Sequence, residues 1–118
     1  MVLPEGDGYN RGPMASQERA RRVPVRCPIR LYDGRRTVEA ELRNLSAGGA
    51  FVAVDPPIPL GTGLSFRVSL GSGEPVVLQG HVRWTRSLPG PGGEPVGIGL
   101  SFTGLDEAAA QAVRAWLA

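Results

Sequence analysis

Arg19, Arg21, Arg22, Arg26 and Arg30 stand just ahead of and along the first apolar run, and Asn44-Leu45-Ser46-Ala47-Gly48-Gly49 follows downstream. A guanidinium is planar and permanently charged; it grips phosphate with two parallel donors and stacks on flat rings. An Asn, a Ser two residues on and a Gly pair make a tight bulged turn, because the polar side chains bond nearby backbone and Gly permits positive φ. Such a turn also aims amide and hydroxyl groups at a base edge. Arginines and turn together suit the capture of a guanine-bearing dianion. The charge distribution agrees: residues 11 to 36 hold eight Arg against Glu18 and Asp33, while the whole chain nets only +2. There is no Lys, and the basic character belongs to one end of the chain. A general nucleic-acid binder spreads its positive stripe further and needs exterior aromatic platforms. Here only Tyr9, Tyr32 and Phe51 are candidates for that role, so no nucleic-acid partner is expected.

Other chemistries lack their residues. The lone His81 alternates onto an outward strand face with Gln79 and Arg83, and the lone Cys27 falls inward between Val25 and Ile29, where a thiol behaves as a small hydrophobe. These exclude a disulfide framework and leave no zinc ligand set. The eleven carboxylates are scattered, with no pair in apolar surroundings to split their pKa values, so the chain is not expected to be an enzyme. Gly90-Pro91-Gly92-Gly93 has neither the Lys-Ser/Thr nor the immediate helix of a phosphate loop. No stretch approaches the roughly 18 apolar residues of a membrane span. A cytoplasmic protein without direct membrane insertion is the expectation.

The elements that must position the arginines and the turn follow from periodicity. Residues 1 to 17 have three Gly, two Pro and no apolar pattern, which predicts a disordered leader; Met14-Ala15-Ser16 has the form of an alternative start. Val23, Val25, Cys27, Ile29 and Leu31 then alternate with Pro24, Arg26, Pro28 and Arg30, a half-buried strand whose prolines demand an edge or a bulge. Asp33-Gly34 signals a hairpin into Val38, Ala40 and Leu42, and a third strand spans Ala50 to Val54. Leu64 to Leu70 and Val76 to Trp84 form a second hairpin, and Val96 to Phe102 alternates with Gly97, Gly99 and Ser101, small residues that allow close approach. Trp84 and Trp116 take inward phases in this reading. Leu105, Ala109, Val113 and Trp116 lie on one helical face over residues 106–118, with Thr103 and Asp106 spaced as a capping box. The expected fold is mainly β: a six-stranded antiparallel barrel with a short C-terminal helix, one domain over residues 18–118. An exposed edge strand leaves monomer or weak homodimer open.

In this order and architecture the residues resemble the PilZ domain family of bacterial cyclic di-GMP receptors. That family's signature is R-x-x-x-R before the first barrel strand and D/N-x-S-x-x-G at the end of the second. Asn44, Ser46 and Gly49 match the second motif, and residues 80–84 and 96–102 are similar to the closing strands. Arg22 takes the place of the second arginine; four residues earlier stands Glu18 rather than Arg. The resemblance implies a ligand site of Arg19, Arg21, Arg22, Arg26, Asn44, Ser46, Gly48 and Gly49, with cyclic di-GMP as ligand, no metal, and an effector protein as partner in motility, polysaccharide or surface-growth control. It also implies an alternative, because members with degenerate arginine motifs act as adaptors by protein contact without the dinucleotide.

Overall fold

The computed structural model describes residues 22–71 and 73–118, so the predicted leader, Glu18, Arg19 and Arg21 lie outside the described residues. Six strands follow in chain order: β1 (Val23–Tyr32), β2 (Thr37–Leu45), β3 (Gly49–Ala53), β4 (Gly63–Val68), β5 (Val76–Arg86) and β6 (Gly97–Phe102), then α1 (Glu107–Leu117). All pairings are antiparallel and the barrel closes in the order β1-β2-β3-β6-β5-β4. The inward phases fill it: Leu31, Leu42, Leu45, Leu78, Ile98 and Val52 are fully buried. Such a closed sheet hides the apolar phase and leaves the alternate phase as a continuous outer surface. Among the described residues, no helix is long and apolar enough to cross a membrane.

The prolines of β1 act where the alternation predicts. The register with β2 slips between Pro24 and Cys27, and β1 meets β4 through the single pair Tyr32 and Ser65. The β1–β2 hairpin is closed by Asp33, whose carboxylate accepts backbone N–H bonds from Arg35 (2.8 Å) and Arg36 (3.0 Å), while Gly34 supplies φ +98°. These bonds, that from Arg36 foremost, hold the Asp33 carboxyl below its ordinary value of 3.8. A depressed folded-state pKa means that the turn's contribution is fully present above about pH 3.8 and is lost as the pH falls below it. Asp33→Asn should therefore unfold at lower urea than the parent at about pH 6, and the gap between the two midpoints should begin to close as the pH falls below 3.8.

The helix docks at the barrel end that also carries the β2–β3 turn, since Phe102 N–H donates to the Gly48 carbonyl (2.8 Å) just before α1 begins. Ala109 and Val113 are buried, and Leu105, Trp116 and Leu117 pack against the core. The predicted capping box is corrected in one respect. Asp106 itself is the N-cap, accepting from Ala109 N–H (2.8 Å), whereas the Thr103 hydroxyl lies 3.4 Å from His81 Nδ1. Asp106 sits three residues before the donor it can reach; Thr103 is still held in the ladder through its N–H to the Gln79 carbonyl.

Candidate functional site

Cross-strand partners share a face, so the register lays out the outer surface in rows. One row runs Pro24, Asn44, Phe51, Gly99, Trp84 across β1, β2, β3, β6 and β5. The next row along holds Glu41, Ala53, Gly97 and Arg86. At strand spacing, Asn44 and Trp84 are about 14 Å apart around the barrel.

Asn44 organises one end of the row. Its Oδ1 accepts from Phe51 N–H (3.2 Å) and from Arg22 Nη1 (3.0 Å), so the ladder fixes the amide and the amide holds the guanidinium. The Asn44 NH2 donates to no described residue and remains available. Arg22 is exposed and immediately precedes β1. Arg26 is exposed on the same face, at the register slip of β1, with no polar partner among the described residues.

The other end is aromatic. Phe51 and Trp84 stack with ring centroids 5.4 Å apart and planes 13° from parallel, and the Arg86 guanidinium lies 5.0 Å from the Phe51 ring and 5.4 Å from the Trp84 ring. The floor under them is glycine. A Cβ on Gly99 would strike the indole, and one on Gly97 would meet Phe51 Cζ at 2.8 Å and Ala53 Cα at 3.0 Å. Phe51 is thereby 5% exposed although it lies on the outer face; Trp84 is 39% exposed. The expected inward phase of Trp84 is overturned, because the β5–β6 register slips between Val82 and Trp84 and turns the indole outward. Arg86 was no part of the sequence expectation. The signal for it was the Gly-x-Gly alternation of β6, whose open phase needs large side chains from neighbouring strands to cover it.

The turn residues divide between support and surface. The Ser46 hydroxyl donates to the Gly49 carbonyl (3.1 Å) and accepts from Gly49 N–H (3.2 Å), and Ser46 is 5% exposed. It shapes the turn from within instead of aiming outward. Gly49 is buried, and a Cβ there would strike the Leu100 carbonyl; Gly48 is exposed, with nothing within 4 Å of its open side. A separate shallow cleft of about 400 Å³ lies near the β1–β4 seam, lined by Tyr32, Ser65, Gln79, His81 and Thr103 among others. Its side chains largely bond one another and the backbone: Gln79 donates to the Gly104 carbonyl (2.8 Å), and Thr103 faces His81. Among the described residues, no group of three His, Cys, Asp or Glu could hold a metal ion.

Fold and site together define a small closed β-barrel with a cationic and aromatic strip on its outer wall. The PilZ domain family model matches residues 16–118, and the chain belongs to that family of regulatory binding modules. Among solved structures it is similar to the Bacillus subtilis inhibitor of motility MotI/DgrA, with TM-score 0.69 and 16% identity over 85% of this chain. The chain spans about half the length of that protein, 48%. Comparison with curated protein sequences gives no significant match.

Proposed function

We propose that this chain is a cytoplasmic regulatory module that binds cyclic di-GMP on its outer barrel wall and signals to a partner protein. The observation that carries this reading is the single row holding Asn44, Phe51 and Trp84, with Arg22 bonded to Asn44 at one end and Arg86 over the rings at the other. It offers cations at both ends for phosphates or guanine O6/N7 edges, a free amide for a base edge, and an exposed indole for stacking. Arg22 stands where the family motif places an arginine, and Asn44 is held in the ladder beside it. The family membership and the likeness to a protein named as an inhibitor of motility support an output in motility or a related surface behaviour.

Calorimetric titration with cyclic di-GMP, against cyclic di-AMP as the control for base identity, tests the proposal. Saturable heat with the guanine dinucleotide alone is expected. Trp84→Ala should weaken it by about tenfold, since base stacking on an aromatic contributes roughly 1–3 kcal/mol. No heat at all would defeat the reading.

A second reading rests on Leu60 and Leu88, which are 64% and 77% exposed in the β3–β4 and β5–β6 connections, and on Glu18 in the place of the first motif arginine. Apolar side chains so displayed suit a ligand-independent adaptor surface. Capture of one partner equally well with and without the dinucleotide, by the parent and by Trp84→Ala, would favour it.

A further inference from the structure

One ion pair ties the β5–β6 loop to the aromatic strip. Glu94 Oε1 lies 3.5 Å from Arg86 Nη2, with the side chains 54% and 27% exposed. Arg86 Nη1 also donates to the Pro95 carbonyl (3.3 Å), and Gly90 N–H donates to the Glu94 carbonyl (2.8 Å), so the loop folds back on the same guanidinium that covers Phe51 and Trp84. Gly90 is what lets it close. A Cβ there would meet Glu94 Cβ at 3.1 Å and Arg86 Nε at 3.4 Å, yet the Gly90 backbone, at φ −87° and ψ 177°, is one that any residue adopts. The absent side chain therefore serves the contact between Glu94 and Arg86, not a special conformation.

We propose that Glu94 is an internal competitor that occupies Arg86 in place of the ligand's anion, so that ligand binding releases the loop over residues 87–96. The inference rests on the reading of this strip as a dinucleotide receptor. Phosphate offers the guanidinium the same paired acceptors as a carboxylate, and the dinucleotide adds stacking and contacts at Asn44 that Glu94 lacks. The freed loop lies at the barrel end opposite α1 and the Asn44 turn. Occupancy is thus announced at both ends of the barrel, by Arg22 at one and by this loop at the other.

The test uses the full chain, titrated calorimetrically with cyclic di-GMP at low salt as parent, Glu94→Gln and Gly90→Ala. Amide hydrogen exchange at Gly90 is followed in the parent and in Glu94→Gln. Both variants should bind about two- to fivefold more tightly, the scale of a half-exposed ion pair. Gly90→Ala keeps the carboxylate, so a matching gain separates release of Arg86 from a change in net charge. Gly90 exchange should speed up in Glu94→Gln without ligand and in the parent when saturated. Binding too weak to resolve in the parent but measurable in both variants would also uphold the proposal. Equal or weaker binding by both variants beside a parent that binds would overturn it and leave the receptor reading intact, whereas no binding by any of the three would overturn both.

Discussion

Gly49→Ala should destabilise the protein by about 3 kcal/mol, while Gly48→Ala, one residue away, should stay within about 0.5 kcal/mol of the parent. Both glycines belong to the same turn, and the contrast comes from what faces them. A methyl on Gly49 lands on the carbonyl of Leu100, a backbone atom of β6, and sits 3.1 Å from Leu100 C and 3.4 Å from Ser101 Cα. Nothing flexible is there to yield. Relief would require β3 to move off β6, and the ladder between them runs from Gly49 with Ser101 to Ala53 with Gly97. The same shift would break the three bonds that close the turn, from Ser46 N–H (2.8 Å) and Ser46 Oγ (3.1 Å) to the Gly49 carbonyl and from Gly49 N–H to Ser46 Oγ (3.2 Å). Ser46→Ala removes only the two hydroxyl bonds and should fall between the two glycine variants. Urea midpoints at fixed m-value give the ranking. Equal midpoints for the two glycine variants would show that β6 does not press on the turn as described.

The last glycine of the motif is thus a packing requirement, and the sequence carried the requirement without its cause. Periodicity made the strands legible: each apolar alternation from Val23 to Phe102 became a wall of the barrel, and the prolines of β1 coincided with its register slip and its single pair with β4. What periodicity cannot carry is a change of phase inside one strand. Val76, Leu78, Gly80 and Val82 set an inward series that Trp84 seemed to continue, but the slip at Val82 puts the indole outside. The assembly of Asn44, Phe51 and Trp84 into one row depends on the pairings of β2, β3, β6 and β5, and these are set by bulges and turns spread over half the chain. Local signals named the arginines and the turn. Only long-range register shows that an aromatic stack and Arg86 lie beside them.

That register also decides which arginine should matter most. Arg22→Ala should weaken cyclic di-GMP binding by about 10- to 100-fold and leave the urea midpoint unchanged, because a charge-assisted hydrogen bond contributes roughly 1.5–3 kcal/mol and the side chain is exposed. The guanidinium already rests 3.0 Å from Asn44 Oδ1, an oxygen that Phe51 N–H fixes in place, so little freedom remains to be lost on binding. Arg26 shares the spacing of the family motif with Arg22 but sits at the register slip of β1 without a described polar partner. Nothing aims it, and Arg26→Ala should change affinity by less than about threefold. Arg22→Lys separates charge from shape: an ammonium keeps the long-range attraction but cannot stack or form paired bonds, so most of the affinity should be lost while the salt dependence persists. Calorimetry on the three variants at two salt concentrations reads all of this. Full affinity in Arg22→Ala would remove the Arg22 guanidinium from the site, and a larger loss in Arg26→Ala than in Arg22→Ala would move the anion-binding end of the strip further along β1.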